Sequence, residues 1–394
     1  MKNSKINVGI TISIDDYKTN SMFSNGIKQN VLTLREVFEN CKNVKNSYII
    51  NTAQNKSDPT NTVWEQYAKY MISKEEAEDK CDLIVVCQGS LHVENYEKYK
   101  KIGKKIVKQI LGPEFSIFAE RNLFDVPAGG IYKRNPYVDA VWMSPHYFKR
   151  DQYFFKAMFN NCDVFEAPYI WDSRFIDDHI NLLKSSKSNF SGVYTPSGKK
   201  AKRISTMEPN LNVIKTCITP IIIAEFLERQ SPELLEFFSI FGGEKIKTKT
   251  DMIDFVKNFE INKNKKCFFE NRYPVVWTLF EHTDIVLSHQ NQNELNYLYL
   301  DAAWLGFPVV HNSPMMKELG WYYPENNADA AVEQIKCLAE KFDTTDYLNG
   351  EYLKKSREFA SQYFPSNPKN IKNYEKLIEN VMESKKTNIY IKKK

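Results

Sequence analysis

The stretch from Asp284 to Ser313, DIVLSHQNQNELNYLYLDAAWLGFPVVHNS, constrains the fold more than any other part of the chain. A short apolar run, Ile285-Val286-Leu287, ends in Ser288 and His289. A polar turn follows, then a helix-like segment, then Gly306 and Pro308, then Val309-Val310 closed by His311, Asn312 and Ser313. The order reads as strand, loop, helix, tight turn, strand, the alternation of an α/β protein. Glu294 and Asp301 stand seven apart, which on one continuous helix sets them two turns apart on the same face. They fall at or beyond the carboxyl end of a strand, where open α/β sheets bind nucleotides.

The rest of the chain repeats this alternation. Apolar runs at 6–14, 47–51, 82–87, 106–111, 140–143 and 163–170 predict strands, with a helix over 27–38 after the first. Short continuous apolar runs separated by amphipathic segments indicate a parallel sheet covered on both faces. After a Ser/Asn/Gly-rich patch at 185–192 the pattern restarts, with strands expected at 191–194, 204–207, 234–241 and 266–269. Helices are expected over 212–230, 329–342, 347–363 and 370–383. The reading is two Rossmann-like domains facing a cleft, with a C-terminal helix packing back. The first spans 1–175 and the second 190–365. The terminal helix covers 366–384, and a lysine-rich tail covers 385–394.

At 394 residues the chain is long enough for two cores. No apolar run is long enough to span a bilayer. The seven cysteines are scattered and form no CxxC pair, which suits reduced thiols and a cytoplasmic location. The net charge of +5 resides in the tail, whose five lysines leave the remainder formally neutral. Charge therefore gives no general argument for nucleic acid. No HxxxH or DxD-type cluster stands out, so no metal ligand set is expected.

Several residues carry candidate chemistry. Asp301 suits ribose hydroxyls and Glu294 the hydroxyls of a sugar. Glu208-Pro209-Asn210 follows a strand. With Asn210 as N-cap, Lys215 would sit in the first two turns of the next helix and meet a diphosphate there. Arg203 and Arg272 are further diphosphate candidates. His289, His311 and Ser313 tip the two strands of the opening feature. In the first half, the loop 15–26 after the first strand holds Asp16, a candidate general base, and ends in Phe23-Ser24-Asn25-Gly26. Gly26 permits close backbone approach to a ligand, and Asn30 lies one turn into the helix. His92 and His146 follow strand ends and are alternative bases. The segment Tyr147–Lys156 interleaves aromatic and basic residues, as a nucleic-acid contact or as an amphipathic helix on the sheet.

Taken together, these pieces resemble GT-B glycosyltransferases. Their nucleotide-sugar pattern runs acidic, seven on, acidic-Ala-x-x-x-Gly-x-Pro-Val-Val. Here it reads Glu294, then Asp301-Ala302, Gly306, Pro308-Val309-Val310. A narrower resemblance, to a bacterial and phage family of GT-B-like proteins, rests on Gly26-Ile27-x-Gln29-Asn30, Pro168-x-x-Trp171 and Glu208-Pro209-Asn210 with Lys215-Thr216-Cys217. Ser288-His289-Gln290 and Leu295-Asn296-Tyr297 through Asp301 belong to the same set. The resemblance covers residues 5 to about 330. It implies a metal-independent hexosyl or pentosyl transferase with no cofactor beyond a nucleotide-sugar co-substrate, such as a UDP-sugar. The donor would be held by the C-terminal domain, Asn296 and Tyr297 included, and the acceptor by the N-terminal one. The acceptor would be a surface glycan or a hydroxymethylated base of phage DNA. Glu294 is followed by Leu-Asn-Tyr rather than the usual Gly-Phe-Gly, and no Arg-x-x-x-x-Lys pair is present, so the anomeric outcome stays open. The alternative from another class is a non-catalytic nucleotide- or glycan-binding module on this scaffold.

Overall fold

The structure is a computed structural model that describes residues 5–19, 22, 26–54, 57–124, 135–186, 191–341 and 347–384. The run Phe23-Ser24-Asn25 and the lysine tail lie outside the described residues. The chain forms two compact units, Met1–Asp172 with Tyr363–Lys394, and Ser173–Gln362.

The first unit holds a seven-stranded sheet. Its strands are β1 (Ile6–Ile12), β2 (Val44–Asn51), β3 (Met71–Ile72), β4 (Leu83–Val86), β5 (Lys105–Ile110), β6 (Ala140–Met143) and β7 (Asp163–Glu166). They run in the order β3-β2-β1-β4-β5-β6-β7, all parallel. Every residue of β4 and β6 is buried, as an unbroken apolar run demands of a strand covered on both faces. The helices are α1 (Gly26–Asn40), α2 (Lys74–Lys80), α3 (Val93–Lys101), α4 (Glu114–Leu123) and α5 (Pro145–Met158). The segment with interleaved basic and aromatic residues is α5, and it turns Tyr147, Asp151 and Phe155 inward. Arg150 pairs with the buried Asp151 carboxylate at 2.5 Å. The terminal helix Pro368–Glu383 returns to this unit. Its Tyr374 ring lies 5.6 Å from Phe38 and 5.9 Å from Trp142, and its hydroxyl donates to the Pro168 carbonyl at 3.0 Å.

The second unit holds a six-stranded parallel sheet. Its strands are β8 (Lys202–Thr206), β9 (Leu235–Phe241), β10 (Cys267–Glu270), β11 (Ile285–Ser288), β12 (Val309–His311) and β13 (Trp321–Tyr322), in the order β10-β9-β8-β11-β12-β13. Its helices are α6 (Arg174–Ser186), α7 (Ile218–Gln230), α8 (Thr250–Val256), α9 (Glu260–Lys263), α10 (Val275–His282), α11 (Tyr297–Trp304), α12 (Ala328–Lys341) and α13 (Leu353–Ser361). The order reverses between β8 and β11, as it does between β1 and β4 in the first unit. Open α/β sheets bind ligands outside the carboxyl ends of the strands at such a switch.

Three local expectations fail for physical reasons. Residues 191–194 are not a strand: Ser191 Oγ turns back to the Val193 carbonyl at 2.6 Å, and the Tyr194 N–H reaches the Leu305 carbonyl at 2.8 Å. The helix expected from 212 begins at Ile218. Pro220 lacks an N–H and fits only the first turn, so it places the start there. Glu294 is not on the helix with Asp301. Asn296 is extended, and its side chain accepts from the Leu298 N–H at 3.2 Å, capping α11 at Tyr297.

Gly306 ends α11. At φ +84° its N–H donates to the Ala303 carbonyl, and the Phe307 N–H reaches the Ala302 carbonyl. This is the left-handed Schellman closure that glycine adopts without strain.

Candidate functional site

The switch in the second unit gathers the loop after β8 and the loop after β11. Glu208 is 1% exposed there. The Ser288 hydroxyl donates to its carboxylate, and the Gln290 amide donates to both carboxylate oxygens at 3.3 and 3.2 Å. The Tyr299 hydroxyl lies 3.1 Å from Ser288 Oγ. Ser288 gives its single proton to Glu208, so Tyr299 must donate to Ser288. Burial pushes the Glu208 carboxyl above the usual range, against Ser288, Lys215 and Gln290. Burial pulls the Lys215 ammonium down, against the attraction of Glu208, while Arg272 adds to the fall. Lys215 is half-buried as a residue.

Asn210 is not a helix N-cap. It stands at φ +53°, a conformation asparagine tolerates better than most residues. Its N–H donates to the Lys215 carbonyl at 3.1 Å and its side chain to the Glu208 carbonyl at 2.8 Å. Its Oδ1 accepts from the Cys217 N–H at 2.8 Å, just ahead of α7. Lys215 therefore lies on a clipped loop before the helix, not in its first turns. The same Asn210 amide reaches the Gly242 carbonyl at 3.3 Å. Gly242 has φ +83°, and a Cβ there would stand 3.1 Å from the Glu208 carbonyl oxygen. The Gly242 N–H donates to the Glu270 carbonyl at 3.1 Å, which laces in the loop after β10 that carries exposed Arg272. Asn291 ties the loop after β11 to the same place, through the Ile214 carbonyl at 2.9 Å and the Val213 carbonyl at 2.6 Å.

Both strand-tip histidines are internal parts of this edge. His311 is fully enclosed. Its Nδ1 accepts from the Ser313 N–H at 3.1 Å, so Nε2 carries the proton and donates to the Leu319 carbonyl at 2.6 Å. Burial lowers its pKa to about 4. Both ring nitrogens being used, His311 holds a turn and is not a ligand contact. His289 is 2% exposed, with Nδ1 3.0 Å from the Tyr323 hydroxyl, and burial lowers its pKa too. Tyr323 donates to the Ser288 carbonyl at 3.3 Å, so it accepts from His289 Nδ1. The Asn312 amide, 3.5 Å from His289 Nε2, also pairs with both backbone groups of Gln290 at 3.0 Å. Ser313 gives its hydroxyl to the Glu294 carbonyl, so it shapes the loop before α11.

Asp301 lies in the first turns of α11 and is 8% exposed, while Glu294, Asn296 and Tyr297 are half-buried before and at its start. Arg203 is removed from the site. It stands at the start of β8, and its guanidinium binds the buried Asp284 carboxylate at 2.9 and 3.2 Å and the Glu281 carbonyl at 2.8 Å. That is the opposite edge of the sheet.

At the switch of the first unit, the Ser13 N–H donates to Gln88 Oε1 at 2.6 Å. Gly89 has φ +86°, and a Cβ there would stand 2.5 Å from Thr52 Oγ1. Asp16 accepts from the Lys18 N–H, Thr19 Oγ1 and Ser57 Oγ at 3.0, 3.0 and 3.2 Å. These bonds, the Lys18 N–H first, lower its pKa, which works against a general base. Gly26 opens α1, and Asn30 is buried within it. His92 is exposed at the same switch, as the residue before α3. His146 is not at the switch. It is half-buried in the first turn of α5 after β6, with its ring 3.8 Å from Tyr147.

The sequence reading missed Gln290, Tyr299, Tyr323 and Asn312 as parts of the site, and in the first unit Lys28. Lys28 is 6% exposed, and burial lowers its pKa against nearby Asp15. Among the described residues, no three His, Cys, Asp or Glu side chains gather as a metal site, and no helix is long and apolar enough to cross a membrane.

No curated protein matches the chain. Solved structures do. The Anabaena protein Alr3699/HepE, crystallised with UDP, superposes with a TM-score of 0.54 at 12% identity, over 96% of this chain and 99% of that one. A glycosyltransferase from Rickettsia africae gives 0.53 at 10% identity, over 96% and 99%. The sucrose-phosphate synthase of Thermosynechococcus elongatus gives 0.54 at 10%, again over 96% and 99%. At these identities the likeness is one of fold, and the fold is that of GT-B glycosyltransferases, two parallel-sheet Rossmann-like units with their helices. Residues 8–378 match the family DUF2827, described as a protein of unknown function, and the chain belongs to that family.

Proposed function

We propose that the protein is a glycosyltransferase that takes a nucleoside diphosphate sugar at the β8/β11 switch of its second unit. The observation that carries this is the arrangement of charge there. Half-buried Lys215, its pKa lowered by burial, sits on the loop after β8, and exposed Arg272 adds a second positive charge that acts on it. Asp301 lies on the helix that follows β11 and its loop. Cations suit a diphosphate and a carboxylate suits ribose hydroxyls. The Anabaena relative was also crystallised with UDP-glucose, which makes that the first donor to test.

In the reaction an acceptor hydroxyl attacks the anomeric carbon, and the bond from that carbon to the diphosphate oxygen breaks. Negative charge grows on the departing diphosphate, and Lys215 with Arg272 stabilises it without a bound metal. The acceptor lies on the first unit, around Gly26, Asn30 and His92. His92 replaces Asp16 as the nominee for the base, because the hydrogen bonds to Asp16 favour its ionised form. A glycan hydroxyl is the favoured acceptor over a hydroxymethylated base, because α5 spends Tyr147, Asp151 and Phe155 on the core.

Calorimetry with UDP-glucose tests the donor site. Asp301→Ala should weaken binding about tenfold to a hundredfold, the worth of a hydrogen bond to a charged group. Unchanged affinity in a folded variant would sink the assignment. Slow hydrolysis of UDP-glucose without acceptor separates an enzyme from a binding module, and its absence would favour the module.

A further inference from the structure

The carboxyl ends of β8, β9 and β10 carry three neighbouring loops laced together at Gly242. The Asn210 amide donates to the Gly242 carbonyl at 3.3 Å, and the Gly242 N–H donates to the Glu270 carbonyl at 3.1 Å. The loop after β8 is fixed along its length. The Asn210 N–H holds the Lys215 carbonyl, and Asn291 donates to the Val213 and Ile214 carbonyls. Ile214 takes the interior position of this loop and is buried. Leu211 and Val213 are left 67% and 53% exposed. Ile218 at the start of α7 and Tyr273 after β10 are exposed beside them. A loop clipped in this way cannot fold its aliphatic side chains inward, and apolar surface gathered at one edge marks a place of contact.

The charge beside it has one predominant sign. After β9 the segment Glu244–Lys249 carries exposed Lys245, Lys247 and Lys249 against exposed Glu244. It is wound into turns, with the Ile246 and Lys247 N–H groups both 3.1 Å from the Gly243 carbonyl. Exposed Arg272 stands on the next loop. α8 adds exposed Asp251 and an Asp254–Lys257 pair that cancels itself. Four cations against Glu244 and Asp251 leave this edge positive.

We propose that this edge docks on an anionic lipid surface. Leu211 and Val213 enter the boundary between headgroups and acyl chains, while Lys245, Lys247 and Lys249 meet the headgroup phosphates. Each lysine near such a surface strengthens binding about fivefold, and the aliphatic side chains add to this by leaving water. Nucleic acid would use the lysines without the aliphatic pair, so the combination assigns the partner. The surface borders the β8/β11 switch, and docking turns that edge toward the bilayer. The inference goes beyond the nucleotide-sugar reading and does not rest on it.

The test is flotation of the full-length protein with vesicles of phosphatidylcholine, alone or mixed with phosphatidylglycerol. The protein should bind the mixed vesicles, bind the neutral ones far more weakly, and lose affinity as salt is raised. Lys245→Gln/Lys247→Gln/Lys249→Gln should lower the partition coefficient about a hundredfold, and Leu211→Ser/Val213→Ser about tenfold. All five positions are exposed, and thermal melting checks that each variant is folded; if one is not, the other still decides. The five lysines of 385–394 are a competing source of attraction. Replacing them by glutamine should leave the dependence on both sets of residues in place. No binding to the mixed vesicles would overturn the proposal. Wild-type binding by either folded variant would also overturn it, the aliphatic one by pointing to nucleic acid or another polyanion. Binding lost entirely with the tail lysines would do the same.

Discussion

The Glu208–Lys215 pair should leave a signature in stability when either member is removed, and the two removals should tilt in opposite directions. In the folded wild type burial raises Glu208 and lowers Lys215, and each group's charge opposes the other's shift. In the unfolded chain the two groups take their ordinary values of 4.5 and 10.5. Lys215→Met leaves Glu208 alone in its buried place, with its folded pKa raised above 4.5. The folded state then binds more protons than the unfolded one. Its stability is fully present below 4.5 and is lost as pH rises toward the folded value, by at most about 1.4 kcal/mol per unit. Glu208→Gln leaves Lys215 with its folded pKa depressed below 10.5. There the unfolded state binds more protons, and stability rises with pH from the folded value toward 10.5. The two single variants should therefore tilt away from the wild type with opposite slopes. Amide exchange in the β8 and β11 peptides reports the second unit without interference from the first. Parallel pH profiles for wild type and both variants would refute the coupling of the two groups.

Two glycines should separate backbone strain from collision. Gly306 and Gly320 both have positive φ, +84° and +73°. A Cβ at Gly306 meets its nearest atom at 3.5 Å, so Gly306→Ala should cost only about 1–2 kcal/mol in urea unfolding. At Gly320 the added carbon runs into the Val309 carbonyl oxygen, so Gly320→Ala should cost clearly more than its partner. At the amino end of β8, Arg203→Met strips the buried Asp284 of its cation and should cost about 3–5 kcal/mol, while UDP-glucose affinity measured on the folded variant stays unchanged.

The fold was legible because its signal is local. Leu83-Ile84-Val85-Val86 is apolar without a break, and only a strand covered on both faces uses such a run. The turn at Gly306-x-Pro308 was legible for the same reason, since a Schellman closure is written in a few adjacent residues. Helix starts were less so. Periodicity continues backward through Asn212 and Val213, and nothing nearby announces that Asn210 will bind Lys215 and Cys217 and hold that segment off the helix. Pro220 was the available signal, since its position limits how far upstream a regular helix extends. Asn296 was the equivalent signal for α11, and its capping removes Glu294 from the face it would have shared with Asp301.

The site was legible at the level of which strand ends matter, and not at the level of which side chains meet. Ser288, His289 and Gln290 all stand after a buried apolar run, and alternation alone gives them different fates. Gln290 turns to Glu208, a residue 82 positions away, and no spacing in the sequence encodes that approach. The same limit misplaced Arg203. It and Lys215 are both basic residues near β8, equally suited by type to a diphosphate. One precedes the strand's core and the other follows its end, and in a parallel sheet those are opposite edges. Asp284, just before β11, stands at the same edge as Arg203, and β8 pairs with β11 through Ile204 and Ser205. The adjacency that creates the ligand edge at the carboxyl ends therefore creates a structural ion pair at the amino ends. A residue's place along its strand, more than its charge, decides which of the two it serves.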